Sequence, residues 1–309
     1  MRSVIRIGTR GSLLALAQAR EVRKKLAARF PKFSFELVVV RTEGDEFQSV
    51  ELFKENAVGV FTKAIEEKLI HGEIDLAVHS LKDVPAELPK GLILAAFPKR
   101  LDRRDVLISR RAWTLETLPP GARVGTGSPR RKRQLALARP DVELCDVRGN
   151  LDTRAAKVLK KKDLDAIVVA HAGLLRIRKY IRYARLLPVR TILPAAGQGA
   201  LGLEVRADDE RILKAAKTLN DPATEKEVSA ERCLLSALQG GCRVPVGIDS
   251  RARGGKLYLK ASVFSPDTPD YVTGEILGEA EDFRNLAEKL ALDLLKRGAA
   301  RFMEEARGT

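Results

Sequence analysis

Ser3-Val4-Ile5-Arg6-Ile7-Gly8-Thr9-Arg10-Gly11-Ser12-Leu13 begins as a β-branched run, breaks at Gly11-Ser12, and gives way to an apolar-periodic stretch. The Ser12 hydroxyl can accept a hydrogen bond from a backbone N–H in the first turn of a helix, so Ser12 reads as an N-cap. A strand that hands over directly to a helix, here Leu13 to Phe30, is the start of a βα unit. The same grammar continues with a strand over Phe35 to Arg41, a helix over Phe61 to His71 and a strand over Ile74 to His79. Alternation of this kind builds a mostly parallel sheet with helices on both faces.

A second set follows Arg100-Leu101-Asp102-Arg103-Arg104. Its strands are Val106 to Ser109, Arg123 to Gly125, Val142 to Val147 and Ala166 to His171, with helical segments after Ser128 and after Gly149. The polar stretch at 99–104 and the Pro-bounded stretch from Leu186 to Pro194 read as crossings between two similar α/β lobes. From about Ala223 the pattern changes to a helix (Thr224 to Leu238), a Gly240-Gly241 stop, several strands through Gly278 and a long closing helix from Asp282 to Ala306. Strands flanked by helices rather than alternating with them predict an α+β domain, with Gly254-Gly255 as a hairpin turn.

A chain of 309 residues is long enough for two or three domains, and 45% hydrophobic with 31% charged residues is a globular balance. No run approaches the roughly 20 apolar residues that span a bilayer. The amino terminus reads straight into a strand rather than into a signal peptide, so a cytoplasmic protein is expected. Cys145, Cys233 and Cys242 form no Cys-x-x-Cys pair, and His71, His79 and His171 are not clustered, so no metal site is expected. Fifty-six basic against 41 acidic residues leave +15, which calls for an anionic partner or merely a basic surface. With aromatics at 5%, Trp113 the one tryptophan and no recognisable binding motif, nucleic acid ranks low.

The basic residues recur at handovers from strand to helix. Arg10 precedes Ser12; Thr126-Gly127-Ser128-Pro129-Arg130-Arg131 places an N-cap and an N1 proline before paired arginines; Arg148-Gly149-Asn150 opens a helix carrying Arg154. Ligands of open α/β sheets sit beyond the carboxyl ends of the strands, and helix amino termini there offer N–H groups to anions. Each arginine alone could be a solvated helix-face charge. Three repeats of one placement favour a ligand with several carboxylates or phosphates, which guanidinium forks grip in bidentate fashion.

Two further groups could carry chemistry. In Ile74-Asp75-Leu76-Ala77-Val78-His79-Ser80-Leu81-Lys82-Asp83-Val84-Pro85 a buried strand runs out into a loop, with Pro85 holding Val84 extended and Lys82 and Asp83 at the rim of the sheet. Asp83 there is either a surface ion pair or a proton donor that stabilises developing positive charge. Cys242, in Gln239-Gly240-Gly241-Cys242-Arg243, follows a glycine stop and adjoins an arginine, which favours thiolate; a buried structural thiol is the equal alternative. Cys233 within a helix and Cys145 within a strand read as structural. No His partner accompanies Cys242 at hydrolase-like spacing.

Thr9-Arg10-Gly11-Ser12, Ala77 to Pro85, Val124-Gly125-Thr126 with Ser128 and Arg130-Arg131, Arg148-Gly149-Asn150, Pro194-Ala195-Ala196-Gly197-Gln198-Gly199-Ala200 and Gly240-Gly241-Cys242, taken in order, resemble the porphobilinogen deaminase (hydroxymethylbilane synthase) family over nearly the whole chain. The resemblance implies two periplasmic-binding-protein-like (type II) α/β domains, the first discontinuous (1–99 with 199–218), the second spanning 100–198, and a C-terminal α+β domain over 219–309. It implies a dipyrromethane cofactor held as a thioether on Cys242 and made from the enzyme's own substrate. Four porphobilinogen molecules are then joined head to tail with loss of ammonia, and hydroxymethylbilane is released by water, a step of haem and other tetrapyrrole biosynthesis. By the same matching Asp83 is catalytic. Lys82, Thr126, Ser128, Arg130, Arg131 and Arg148 bind the cofactor; Arg10, Ser12, Ser80, Arg148, Arg154 and Arg176 bind substrate. A cytoplasmic monomer with no nucleic-acid or membrane partner follows as the family expectation; a non-catalytic polyanion binder on the same fold is the rival.

Two departures from the family pattern stand out. Asn56-Ala57-Val58-Gly59-Val60-Phe61 replaces the usual Gly-Gly-Lys-Gly ahead of Phe, with Lys54 and Lys63 flanking the missing lysine. Gly127 and Pro129 stand where Ser and Leu are frequent.

Overall fold

The computed structural model describes residues 4–41, 62–238 and 244–308. In chain order β1 (Val4–Arg10) leads through the Ser12 N-cap into α1 (Leu13–Arg29), followed by β2 (Ser34–Val40), α2 (Lys63–Ile70), β3 (Leu76–Ser80), a 3-10 turn over Leu81–Asp83 and β4 (Leu92–Ala96). Next come β5 (Asp105–Ser109), β6 (Arg123–Gly125), α3 (Pro129–Ala138), β7 (Glu143–Cys145), α4 (Leu151–Leu159), β8 (Ala166–Ala170), α5 (His171–Ile177) and β9 (Ala184–Leu186). β10 (Leu201–Arg206), α6 (Glu210–Lys217) and α7 (Pro222–Ala237) precede a meander of β11 (Val246–Arg253), β12 (Lys256–Phe264) and β13 (Tyr271–Glu279), and α8 (Phe283–Leu294) and α9 (Ala300–Gly308) end the described chain.

The chain forms two compact units, Met1–Leu101 with Ala200–Glu225, and Asp102–Gly199 with Lys226–Thr309. The sheet of the first has the order β2-β1-β3-β10-β4 and that of the second β7-β6-β8-β5-β9. In each, the strand entered straight after a crossing, β10 or β5, runs antiparallel to both its neighbours. Such a strand has to start where its parallel neighbour ends: Leu201 pairs with Ser80, and Asp105 with Ala170. Within each unit the crossing therefore falls on the carboxyl edge of the parallel strands, the edge at which open α/β sheets take ligands. The fold class is the expected one, two α/β sheets of matching strand order, the first unit discontinuous, plus a C-terminal α+β part.

Strand alternation sets the cores. In β3, Leu76 and Val78 face the cluster formed with Ala19, Val22 and Leu26 of α1 and Ile212 of α6, while Ala77 faces Ile65 and Leu69 of α2. In the second sheet Val124, Ala166 and Val168 pack with Leu135 of α3, and Ile167 and Val169 pack with Ala155 and Val158 of α4 and Leu174 of α5. A separate cluster joins α7, the β11–β13 meander and the closing helices. The β11–β12 turn is Gly254-Gly255, both at positive φ (57° and 76°), as a tight hairpin turn requires.

Three expectations need correction. Leu186 to Pro194 is not a crossing: Leu187 N donates to Asp105 O at 2.9 Å and Ile192 is buried, both inside the second unit, and the chain changes unit at 199/200. The closing helix is not continuous, because Gly298 at φ 113° breaks the α-helical pattern between α8 and α9. The loop after β3 first makes the short turn Leu81–Asp83 before Val84 becomes extended.

Candidate active site

At the carboxyl edge of the first sheet, Arg10 ends β1 and Ser12 caps α1, its Oγ accepting from Ala15 N at 3.2 Å. Ser80 ends the adjacent strand β3, where Gln18 of α1 donates from Nε2 to its Oγ at 2.8 Å. Leu81 N is tied to Ala200 O at 3.1 Å, so the turn carrying Lys82 and Asp83 is pinned to the start of β10. Lys82 and Asp83 are both exposed, while Leu81 and Val84 on either side are buried, which aims the two charged side chains outward from a fixed backbone. Arg10, Ser12, Ser80, Lys82 and Asp83 thus share one edge of the first unit.

Beneath that edge lies a buried polar group that sequence reasoning missed. His79 Nε2 lies 2.9 Å from Glu204 Oε2, both buried, and both residues lie near Glu66. Burial pushes the Glu66 carboxyl up, opposed by a hydrogen bond from Thr62.

The second unit gathers Thr126, Ser128, Arg130, Arg131, Arg148, Arg154 and Arg176 at the carboxyl edge of β6, β7 and β8. Ser128 caps α3 with Pro129 at N1, and Asn150 caps α4, accepting from Thr153 N at 2.9 Å. Gly127 is demanded by space: a Cβ there would come within 2.7 Å of Val147 O, on the segment leading to Arg148. Arg154 donates from Nε to Gly149 O at 2.7 Å, and Arg176 donates from Nη2 to Gly199 O at 3.0 Å.

The paired arginines are inside the unit rather than on its surface. Arg130 and Arg131 are each 5% exposed and share one fully buried carboxylate, Asp105, at 2.9 and 2.8 Å. Gln198 donates from Nε2 to the same carboxylate at 2.8 Å, and Arg131 Nη1 reaches Val168 O at 3.2 Å. Burial opposes ionisation of Asp105, yet the charges of Arg130 and Arg131, with donors from Arg131 and Gln198, hold its carboxyl well below the usual range. Two guanidiniums against one carboxylate leave this set net positive, and Arg131 Nε is buried without a hydrogen-bond partner among the described residues. That excess of positive charge, with one donor unfilled, suits an anionic ligand.

Removing the shared acceptor should be costly. Asp105→Asn leaves two buried guanidiniums facing a neutral amide, and a buried ion pair broken on one side costs about 3–5 kcal/mol. Urea or thermal unfolding is expected to show a loss of that order, and an unchanged midpoint would contradict the assigned network.

The strand that follows Cys242 in the sequence, β11, is anchored beside this set. Cys242 itself, like Lys54 and Asn56 to Phe61, lies outside the described residues. Ile248 N donates to Pro194 O at 2.8 Å, and a Cβ on Gly247 would lie 2.6 Å from Leu193 Cβ. Leu193 O in turn accepts from Arg130 Nη1 and, at 3.1 Å, from Gln134 Nε2. Burial raises the thiols of Cys145 and Cys233, which makes both poor nucleophiles.

Asp105, Gln198, Glu204 and the pair Asp102–His171 carried no role in the sequence reading. One signal was available: Asp105 opens Val106-Leu107-Ile108, and a lone carboxylate heading a buried strand needs a partner. Burial alone would raise Asp102, but hydrogen bonds from the Arg104 side chain and backbone and from His171 outweigh it and draw it from 3.8 to about 2. A depressed carboxylate contributes stability above its unfolded pKa and loses it as pH falls through its folded pKa. The contribution of Asp102 should therefore vanish between pH 3.8 and about 2. Asp102→Asn is expected to flatten the acid-unfolding curve in that window, and curves of equal slope would refute the pairing.

Comparison with known proteins covers both parts of the chain. Residues 5–214 match the family described as porphobilinogen deaminase, dipyromethane cofactor binding domain, and residues 225–296 match its C-terminal domain. Porphobilinogen deaminase of Desulforudis audaxviator is 47% identical over 307 residues, covering 99% of both chains. That of Pelobacter propionicus is 45% identical over 301 residues, covering 97% of this chain and 96% of its own. Among solved structures, the periplasmic VFT2 domain of Bordetella pertussis BvgS aligns at a TM-score of 0.40 with 14% identity, over 71% of this chain and 87% of that one. Both sequence matches run through the two carboxyl edges and the C-terminal meander, and the chain belongs to the porphobilinogen deaminase family.

Proposed function

We infer that the chain is a hydroxymethylbilane synthase: a transferase that joins four porphobilinogen molecules head to tail on a covalent dipyrromethane primer, with loss of ammonia, and releases hydroxymethylbilane by hydrolysis. The single observation that carries this reading is the net-positive buried set Asp105–Arg130–Arg131, anchored through Leu193 to the start of the strand that follows Cys242. The primer, when bound, supplies the pyrrole carbon to which the first substrate is joined. Cys242 holds it through sulfur, because a thiolate is the side chain suited to making a carbon–sulfur bond at neutral pH.

Thr126, Ser128, Arg130, Arg131, Arg148 and Lys82 bind the primer's carboxylates, and Arg10, Ser12, Ser80, Arg148, Arg154 and Arg176 bind those of substrate and product. Every added pyrrole brings two more carboxylates, which gives the +15 charge a cause. Asp83, exposed on a pinned turn, assists the departure of ammonia and stabilises the positive charge left on the substrate. The reading includes a division into 1–99 with 199–218, 100–198 and 219–309. It also includes a cytoplasmic monomer that binds neither nucleic acid nor membrane; no helix among the described residues is long and apolar enough to cross a bilayer.

Intact-mass measurement tests it. Protein made in cells supplied with precursor should carry the added mass of a dipyrromethane. An unmodified mass that persists after incubation with porphobilinogen would favour a non-catalytic polyanion binder instead.

A further inference from the structure

The short helix α5 carries a histidine that the proposed function does not use. His171 is joined through Nδ1 to Asp102 Oδ2 at 3.0 Å, and Arg104 holds the same carboxylate with contacts of 3.0, 3.0 and 2.6 Å. Asp102 is ionised throughout the neutral range, so it can only accept, and the proton of the contact sits on Nδ1. Nε2 is then the ring nitrogen left for a ligand, and the side chain is 16% exposed.

His171 stands at the carboxyl edge of the second unit's sheet, directly after β8. His171 N donates to Arg104 O at 3.0 Å, Ala170 pairs with Asp105, and Arg131 Nη1 reaches Val168 O two residues further back along β8. Asp102 touches the ring and Arg104 touches Asp102, both on the segment entering β5, and Asp105 at the head of β5 pairs with Ala170, the residue before His171.

We propose that His171, oriented by Asp102, is an additional ligand-binding residue of this site and donates Nε2–H to a carboxylate of the bound oligopyrrole. The proposal rests on the polymerising reading given above. The protein's carboxylate takes Nδ1–H; as the ligand's carboxylate arrives, Nε2 takes up a proton from solvent and donates it, so that each ring nitrogen gives one charge-assisted hydrogen bond. Arg104 contributes by keeping Asp102 from turning away, which fixes the plane and direction of the ring.

The test uses the holoenzyme and its His171→Ala and His171→Gln variants. His171→Ala should still acquire the primer mass but slow one or two elongation steps about tenfold, the scale of one lost hydrogen bond to a charged group, so that particular enzyme-bound intermediates accumulate in the mass spectrum. His171→Gln, which keeps a donor, should recover part of the rate. Nitrogen-15 NMR of the unsubstituted protein should show the His171 Nε2 resonance move to that of a protonated donor when the primer is loaded, a readout that does not depend on either variant folding. Parental rates at every step in His171→Ala, or an Nε2 resonance indifferent to loading, would overturn the proposal. So would a uniform slowing accompanied by faster amide exchange over 99–104, which would assign the contact to the crossing alone. Failure of the unsubstituted protein to carry primer sinks the enzyme reading as well; a working parent beside an unaffected His171→Ala sinks this inference only.

Discussion

Cys242→Ser is expected to leave the purified protein at the mass of its bare polypeptide, with no primer attached and no hydroxymethylbilane formed. Serine preserves the size and the hydrogen-bonding capacity of the side chain, so the fold should survive; what is lost is the thiolate. A free thiol has a pKa of about 8.5 and an adjacent arginine favours its ionised form, whereas an unassisted serine hydroxyl is a weak nucleophile at neutral pH. Neither remaining cysteine can substitute, since burial raises both Cys145 and Cys233 and each is held within a regular element, β7 and α7 respectively. Circular dichroism and the unfolding midpoint should match the parent. A Cys242→Ser protein that still gains dipyrromethane mass would place the attachment elsewhere and remove the basis for the chemistry proposed at this loop.

The parts of the molecule legible in the sequence are those governed by local physics. Ser12 and Ser128 cap helices because capping is settled within a few residues, and those two handovers from strand to helix could be read from it; the third was legible as a helix following Arg148-Gly149-Asn150, with the Asn150 cap supplied by the structure. Those handovers in turn located the carboxyl edges and the arginines upon them. The fate of the arginines was not legible: Asp105 is 25 and 26 residues from its two guanidinium partners and 93 from Gln198, distances at which chain pattern carries no pairing information. His171 and Asp102, 69 residues apart, were hidden for the same reason.

The errors were local signals given too wide a meaning. Pro188 and Pro194 do bound a stretch without regular structure, yet a turn is not a border between units, and Ile192 anchors that stretch in the second core. Gly298 falls inside a continuous amphipathic pattern, where a glycine costs only about 1 kcal/mol in a helix and is easily read through; its left-handed backbone is a property of the folded chain.

Asp83→Asn is expected to separate holding the primer from using it. The amide keeps the shape of the side chain at the end of the Leu81–Asp83 turn, and the backbone there is fixed by Leu81 N to Ala200 O, so the variant should fold and be isolated with primer attached. Asparagine can neither deliver a proton to departing ammonia nor offset the positive charge left behind. Loss of a positioned proton-transfer group costs about 10²–10⁴ in rate, so turnover should fall within that range while binding of porphobilinogen changes little. Lys82→Gln on the same exposed turn provides the contrast: it alters charge next to Asp83 without removing a proton donor from the carboxylate's position, and it should weaken the hold on a ligand carboxylate more than the rate at saturation. If Asp83→Asn turned over at the parental rate with its primer in place, the carboxylate would be one more surface charge on a rigid turn, and the proton would have to come from another group at the same edge.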